Sequence, residues 1–385
     1  MAGRHYKVQE RMLNMTNSLL LTQSTVGSEK PRSLRLALQT LGSEKTKKLY
    51  EYNIEKFRKF TGEKDLDSLV KLPQNQLETL VEDYLMDLKT KMNPNTIPVA
   101  MAPIKLLFVM NDVEINFNKI QKMYPAPIKK SGNKSYTREQ LQQILRYATK
   151  KRARALILFL ASTGCRIGVV EELKIRHMEK MTDGCYCISI HENDVEEYIV
   201  FLTPEAGKAM NEYLEERRKA GEYLDDDSPL FREEYKAGML KARHMTRQSG
   251  QMLIDKCIKR AGIERKKIGK RYDIQLAHGM RKFYNTTIKM VPNLNYNVGE
   301  KLMGHKNGLD GVYFTPTKEQ CFNEFKKSIP ELTIDETERQ KCTIQKLEAE
   351  KSDMEKKIPE LVIQAVERVK EALRKEGHFV DLDKN

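Results

Sequence analysis

The sequence predicts a mainly α-helical protein that carries one small three-stranded antiparallel sheet, an α+β fold. Over most of the chain apolar residues recur every three or four positions, which is typical of one buried face of a helix. Between residues 176 and 202 they recur at every second position, which is typical of short strands. The chain has 385 residues, which is longer than one ordinary domain, so we expect two or three domains.

The N-terminal part of the chain predicts an arm, a helical domain and a linker. Residues 1–32 mix Ser, Thr, Gln and basic residues without sustained periodicity, so we expect a mobile arm. Residues 33–124 have helical periodicity and predict a compact helical domain. The clearest apolar stripe in it consists of Leu77, Leu80, Val81, Tyr84, Leu85 and Leu88. Residues 125–134 combine Pro, Lys, Ser and Gly, a composition typical of linkers.

A second domain is predicted over residues 135–330. Its first helix begins at Thr137, because Gln140 three residues later completes a capping box. The three predicted strands follow, and two of them alternate apolar residues: Tyr186, Ile188 and Ile190, then Tyr198, Val200 and Leu202. Pro204 then starts a helix that extends to about residue 220, and mainly helical sequence resumes after residue 235.

Residues 331–385 predict a helical C-terminal tail. Its apolar residues follow a 3-4 spacing in a highly charged background: Ile344, Leu347, Met354, Ile358, Leu361 and Ala365. Pro359 is expected to interrupt this helix, because proline lacks the amide proton that a helix interior requires. The tail either packs on its own domain or binds a protein partner, and the sequence leaves both interpretations open.

The net charge of +14 is distributed unevenly along the chain. Residues 235–330 contain 20 Lys and Arg against 7 Asp and Glu, whereas residues 179–234 contain 6 against 16. A polyanion would attract the first segment and repel the second. We therefore expect one strongly basic face and an acidic face directed away from the partner.

Several classes of protein are not expected from the composition. No apolar stretch approaches the ~20 residues that a bilayer requires, and the N-terminus has no signal-peptide core, so we expect a soluble cytoplasmic protein. The six cysteines include no CxxC pair, which argues against a disulfide framework and a structural zinc site. Cys185 and Cys187 lie near His177 and His191 in the sequence, but small core residues are favoured there over a metal site.

Three short segments carry the residues with the most chemistry. They are residues 162–168 (STGCRIG), residues 278–283 (HGMRKF), and Gly304-His305 with Tyr313 eight residues beyond the histidine. The sequence contains neither a Gly-rich phosphate loop nor a recognised metal motif, so no cofactor is expected. In chain order the segments supply Arg166, His278, Arg281, His305 and Tyr313.

This ordered set resembles the tyrosine recombinase (phage-integrase-type) family, and most closely its archaeal-type integrases. The resemblance covers about residues 33–334 and is best over residues 302–316 (LMGHKNGLDGVYFTP). It implies a core-binding domain over residues 33–124 that clamps double-stranded DNA, followed by a tyrosine-recombinase catalytic domain. It also implies a site-specific recombinase or integrase of a mobile genetic element, which acts as a tetramer on two DNA sites and is nucleoid-associated when bound.

The resemblance assigns roles to the five residues. Arg166, His278, Arg281 and His305 are implied to surround the scissile phosphate, and Tyr313 to form a 3′-phosphotyrosyl intermediate. Two guanidiniums suit the growing negative charge on phosphate oxygens, because they donate paired hydrogen bonds and keep their charge. A phenol of pKa near 10 needs a positive field or a base to attack, and His278 is the candidate base.

Other tyrosines and other functions remain open at this stage. Tyr272, Tyr284 and Tyr296 are rivals to Tyr313, which we prefer for its spacing from His305 and the Thr-Pro that follows it. A type IB topoisomerase-like enzyme shares the phosphotyrosine chemistry. A catalytically inactive DNA-binding or architectural protein is the alternative from another class.

The chain departs from the family pattern at two places. A general-acid lysine is usual in the turn between the second and third strands, but residues 191–197 contain none, so Lys180 or Lys174 would have to replace it. An acidic residue is usual three positions after the first arginine, where this chain has Val169. Glu171 or Glu172 is the candidate replacement.

A basic cluster precedes the HGMRKF segment. It is expected to bind the DNA backbone near the active site, although a solvated loop is the alternative interpretation. Its members are Arg260, Arg265, Lys266, Lys267, Lys270 and Arg271.

Overall fold

The computed structural model describes residues 30–128, 134–234, 242–268, 271–305 and 313–375. Nearly all of the predicted N-terminal arm lies outside these ranges, and so does Lys270 of the basic cluster. By its internal contacts the chain divides into two compact units, one through Lys129 and the other from Lys130 onward. The functions assigned to the two domains from the sequence stay predictions.

The first unit is helical throughout its described residues. Its helices are α1 (Arg32–Gln39), α2 (Glu44–Thr61), α3 (Leu66–Leu69), α4 (Gln74–Lys91), α5 (Ile97–Val109) and α6 (Phe117–Lys122). The apolar stripe predicted on α4 faces the core, since Leu77, Val81 and Leu85 are fully buried. Helix α2 ends at Gly62, whose positive φ of 77° is a conformation that glycine adopts without strain.

The second unit begins with two helices and the predicted sheet. These elements are α7 (Arg138–Tyr147), α8 (Lys151–Thr163), β1 (Met178–Lys180), β2 (Tyr186–Ile190), β3 (Tyr198–Leu202) and α9 (Pro204–Lys219). The capping box between Thr137 and Gln140 is confirmed. The strands pair antiparallel in the order β1-β2-β3, with Ile188 opposite Val200. The predicted fold class, mainly helical with one three-stranded sheet, is therefore confirmed.

The remaining elements of this unit are helices and one short hairpin. They are α10 (Arg247–Arg260), β4 (Lys267–Ile268), β5 (Arg271–Tyr272), α11 (Leu276–Met290), α12 (Tyr296–Leu302), α13 (Lys318–Lys326) and α14 (Ile329–Leu332). The β4–β5 hairpin was not predicted from the sequence. Strands of two residues are too short to show alternation, and all four of their side chains are exposed.

The C-terminal helix α15 (Glu336–Lys375) is continuous over 40 residues, so the predicted interruption at Pro359 is wrong. Proline removes one helical hydrogen bond and frees the carbonyl of residue 355. Glu355 and its neighbours are exposed, so water can satisfy that carbonyl and the helix continues.

Five of the six cysteines are buried and all six are free thiols. Burial raises the pKa of both Cys185 and Cys187 to about 12, so these thiols are protonated at neutral pH. Among the described residues no group of three or more His, Cys, Asp or Glu could hold a metal ion. Within the same ranges no helix is both long enough and apolar enough to cross a bilayer.

Candidate active site

A glycine turn at the end of α8 places Arg166. Gly164 has a φ of 63°, and a Cβ there would lie 2.4 Å from the ring of Tyr284, so only glycine fits. Cys165 after it is buried, and Arg166 is exposed at the start of a 3₁₀ helix (Ile167–Glu171). The STGCRIG segment therefore presents a single guanidinium from an otherwise buried turn.

Helix α11 positions His278 and Arg281, which lie three residues apart and so share one helix face. Arg281 is only 5% exposed. Its Nη1 donates to the carbonyl oxygen of Gly164 at 2.6 Å, and its Nη2 donates to the carbonyl oxygen of Met303 at 2.9 Å. The same Nη2 lies 3.0 Å from Nε2 of His305. Arg281 thus connects the ends of α8 and α12 to the second predicted histidine.

A second glycine, Gly304, forms the turn that brings His305 to Arg281. Gly304 has a φ of 65°, and a Cβ there would lie 2.8 Å from the ring of Tyr198 on β3. The backbone N–H of His305 donates to the carbonyl oxygen of Glu300 at 3.1 Å, which closes the C-terminal end of α12. The turn therefore places Gly304 against the sheet and His305 against Arg281.

An open cavity of about 970 Å³ brings three of the five predicted residues together. Arg166, His278 and Arg281 line it, whereas His305 does not line it but contacts Arg281. Tyr313 is 80% exposed and does not line this cavity. Within the described ranges no hydrogen bond joins it to the other four residues.

The environment of the cavity lowers the pKa of His278. Partial burial lowers the pKa of His278, and the positive charges of Lys282, Arg281 and Arg166 lower it further. Burial and the charge of Arg166 also lower the pKa of Arg281, but a guanidinium stays charged at neutral pH. The site therefore combines two permanent positive charges with a neutral imidazole.

The chain that follows Tyr313 is anchored at two points. Nζ of Lys301 donates to the carbonyl oxygen of Phe314 at 2.8 Å and lies 5.9 Å from the centre of its ring. Nζ of Lys318 donates to both carboxylate oxygens of Glu179 on β1, at 2.7 and 2.8 Å. Residues 306–312, which precede Tyr313, lie outside the described residues.

The rival tyrosines occupy different environments. Tyr284 is completely buried, and burial raises its pKa, so it is a poor nucleophile. Tyr296 is exposed and lies under Nζ of Lys289, 5.0 Å from its ring centre. Tyr272 lines the cavity, with the guanidinium of Arg265 4.5 Å from its ring centre. Tyr272 is therefore the rival that an experiment must distinguish from Tyr313.

The residues of the predicted basic cluster do not all lie at the same cavity. Arg265 and Arg271 line the cavity, and Arg265 also forms an ion pair with Asp255 at 2.8 Å. Lys266 and Lys267 are exposed beside them. Arg260 instead lines a separate cavity of about 280 Å³ next to Tyr147.

The candidate replacements for the missing family residues lie outside the cavity wall. Lys174 donates to Asp227 at 2.8 Å, and Lys180 is exposed on β1. Val169 is buried. Glu171 accepts a hydrogen bond from the backbone N–H of Arg247 at 2.8 Å. Glu172 forms an ion pair with His191 at 2.7 Å.

Two groups of residues at this site were not predicted from the sequence. Arg247, Gln248 and Gln251 line the cavity from the first turns of α10. Their signal was the N-cap at Thr246 followed by polar residues on one helix face. Glu300 is buried and contacts Nδ1 of His305 at 2.7 Å, which no local pattern indicates.

Comparison with known proteins finds a family match for part of the second unit. Residues 134–310 match the model of the phage integrase family, and this match ends just before Tyr313. No curated protein matches the sequence of the chain.

Solved structures share the fold. Two are complexes of the Tn1549 transposon integrase, one with a circular intermediate DNA and one with transposon right end DNA. They are 15% and 16% identical to this chain, cover 77% of it and 99% and 98% of their own chains, and each has a TM-score of 0.51. The XerH site-specific recombinase bound to difH substrate is 20% identical, covers 72% of this chain and 78% of its own, and has a TM-score of 0.48. The chain therefore has an integrase-type fold, in which residues 134–310 match the phage integrase family.

Proposed function

We propose that this protein is a site-specific DNA recombinase, or integrase, that breaks and rejoins DNA strands through a 3′-phosphotyrosyl intermediate. One observation carries the proposal. Arg166, His278 and Arg281 come from two separate segments of the chain, yet they line one cavity, and Arg281 also contacts His305 from a third segment. The family match over residues 134–310 supports the same function.

The two arginines suit a phosphodiester substrate. As a nucleophile attacks phosphorus, negative charge grows on the non-bridging oxygens, and guanidiniums stabilise that charge by directed hydrogen bonds. Arg281 is held rigidly by two carbonyl oxygens, so little reorganisation is needed when phosphate arrives. Arg166 is exposed at the same cavity and supplies the second guanidinium.

Tyr313 and His278 complete the reaction. Neutral His278 accepts the phenolic proton, the Tyr313 oxygen forms a bond to phosphorus, and the bond from phosphorus to the 5′-oxygen breaks. The leaving 5′-oxygen takes a proton from water and becomes the 5′-hydroxyl. Attack by a 5′-hydroxyl of a partner strand reverses these steps and releases the tyrosine. The phosphotyrosyl bond replaces a phosphodiester bond of similar energy, so the exchange requires neither ATP nor a metal ion.

In the first unit, helix α2 offers a face suited to DNA. Its side opposite the buried residues exposes lysines around an aromatic ring: Lys45, Lys48, Tyr52, Lys56 and Lys59. Nζ of Lys56 lies 4.6 Å from the centre of the Tyr52 ring. Lysines suit backbone phosphates, so we assign this lysine face to phosphate contacts.

Neutralising two lysines of this face should weaken binding and its salt dependence together. For Lys48→Gln with Lys56→Gln we expect the slope of log affinity against log salt to fall by about 2, since each phosphate contact contributes about 0.9. Titration of labelled duplex by fluorescence anisotropy at several salt concentrations measures this slope.

The control for this experiment is Lys47→Gln with Lys119→Gln. These lysines are paired with Glu44 and Glu82, so their charges are already partly neutralised. A slope that falls as much in the control as in the test variant would remove the assignment of the lysine face.

In the second unit, helix α10 offers residues that could read bases. Arg247, Gln248 and Gln251 have the donors and acceptors that pair with base edges in the major groove. Arg265 and Arg271 on the same cavity wall suit phosphates. We assign sequence selectivity to the α10 residues and backbone contacts to the two arginines.

The proposed recombinase also has an expected oligomeric state, location and subclass. We infer self-association into a tetramer on two DNA sites, with the protein cytoplasmic and nucleoid-associated when bound. Helix α15 leaves Ile358, Leu361 and Val366 about half exposed, which suits a protein–protein contact. The likeness of the chain to archaeal-type integrases stays a prediction from the sequence.

Trapping on nicked suicide substrates tests the function. In these substrates the leaving fragment diffuses away, so we expect the wild-type protein to accumulate a covalent DNA adduct from a library of candidate sites. Mass spectrometry of the adduct should locate the nucleotide on Tyr313. Salt-sensitive binding without any adduct would instead indicate an architectural protein. Relaxation of supercoils by a monomer, without strand joining between sites, would indicate a topoisomerase.

A further inference from the structure

A buried carboxylate stands behind His305. Glu300 on α12 is only 5% exposed, and it has two partners. Its Oε1 lies 2.5 Å from Nζ of Lys289 on α11, and its Oε2 lies 2.7 Å from Nδ1 of His305. Burial alone would raise the pKa of Glu300, but hydrogen bonds from Lys289 and His305 lower it by more, so the group is ionised.

The contacts of His305 define where its ring proton lies. A guanidinium can only donate hydrogen bonds, so Nε2 of His305 must accept from Nη2 of Arg281 at 3.0 Å. An ionised carboxylate can only accept, so Nδ1 must donate to Glu300. Both contacts require the same form of the ring, the neutral imidazole with its proton on Nδ1.

We propose that Glu300 is a positioning residue that fixes His305 in this tautomer, so that the Nε2 lone pair faces Arg281. If the proton moved to Nε2, two donors would face each other across 3.0 Å, and the pair would separate. A carboxylate acting on Nδ1 therefore keeps His305 and Arg281 together before DNA binds. The catalytic importance of this pair rests on the proposed function, but the tautomer does not.

Glu300 also has a structural role, and the experiment must distinguish this role from its effect on the tautomer of His305. Its ion pair with Lys289 connects the end of α11 to α12, and the loss of that pair alone could shift either helix. Lys289→Met is the matched variant, because it removes the ion pair and leaves the contact between Glu300 and Nδ1 of His305 in place. In this variant we expect His305 to keep its proton on Nδ1.

The test is nuclear magnetic resonance of the full chain labelled with ¹⁵N-histidine. Two-bond ¹H–¹⁵N correlations distinguish the two tautomers, and His305→Gln identifies the signal of this ring among the seven histidines. We expect only the Nδ1–H form in the wild type and a mixture of both tautomers in Glu300→Ala, because Arg281 alone is then left to hold the Nε2 lone pair. Cleavage of a suicide substrate by Glu300→Ala should slow by about 10- to 100-fold, the cost of a misplaced catalytic group.

A double variant provides the rescue. In Lys289→Met with Glu300→Gln, the amide oxygen has no lysine to bind and can accept from Nδ1, so the Nδ1–H form should return, together with most of the cleavage rate. An Nε2–H wild-type ring, or an unchanged tautomer in Glu300→Ala, would overturn the proposal.

Two other outcomes of these experiments can also be interpreted. If Glu300→Ala does not fold, the wild-type tautomer and the double variant still decide between the two outcomes. A wild type that forms no DNA adduct contradicts the proposed recombinase function, while the tautomer of His305 continues to report on Glu300 alone.

Discussion

Tyr313→Phe should abolish the covalent DNA adduct and leave DNA binding intact. The substitution removes only the phenolic oxygen, which is the atom proposed to bond to phosphorus. Enzymes that lose their nucleophile slow by a factor on the order of 10⁴ to 10⁶, so adduct formation should fall below detection. The side chain is 80% exposed, so we expect DNA affinity to change by no more than about twofold. Suicide-substrate trapping and anisotropy on the same duplex measure the two quantities.

Two other tyrosines make this experiment decisive. Tyr223 is 81% exposed and lies far from the predicted motifs in the sequence, so Tyr223→Phe controls for the general loss of an exposed phenol. Tyr272 lines the cavity beside Arg265, which makes it the strongest rival nucleophile. If Tyr272→Phe loses the adduct and Tyr313→Phe keeps it, the assignment of the nucleophile is wrong.

The exposure of Tyr313 leaves its phenol accessible to DNA under the proposed function. After Tyr313 the chain is held by Lys301 at Phe314 and by Lys318 at Glu179. These anchors limit the distance that the chain after Tyr313 can move.

The sequence could predict the fold class and the individual elements because local physics determines them. The capping box at Thr137 and the alternation in β2 and β3 both depend on neighbours within a few residues. Pro359 shows the limit of this reasoning. A local rule predicted a break, but exposure of the surrounding helix allows water to replace the missing hydrogen bond.

Part of the candidate site could be predicted from the sequence, and part could not. Arg166, His278 and Arg281 could be selected from the sequence because the ordered segments resemble a known family. The sequence could not show that Arg281 is bound by the carbonyl oxygens of Gly164 and Met303, because these residues lie 117 and 22 positions away. Glu300 was missed for a related reason. A glutamate on a short helix is usually exposed, and only the packing of α11 against α12 buries this one.

Arg281→Lys should reduce catalysis strongly even though it keeps the positive charge. Arg281 uses two nitrogens to reach the carbonyl oxygens of Gly164 and Met303, and one of them also contacts His305. A lysine has a single nitrogen and cannot span these three acceptors, so at least one buried carbonyl loses its partner. We expect adduct formation to slow by about 10²- to 10³-fold, as when an enzyme loses one donor that stabilises transition-state charge.

The same substitution should also lower stability, because an unsatisfied buried carbonyl costs about 1–3 kcal/mol. Urea unfolding monitored by circular dichroism measures this cost, and single-turnover cleavage measures the catalytic loss. Arg271→Lys is the matched control, since Arg271 lines the same cavity but is exposed. It should retain phosphate binding, stability and most of the cleavage rate. Equal losses in both variants would mean that the cavity requires guanidinium chemistry throughout, and that the three buried contacts of Arg281 do not set its role.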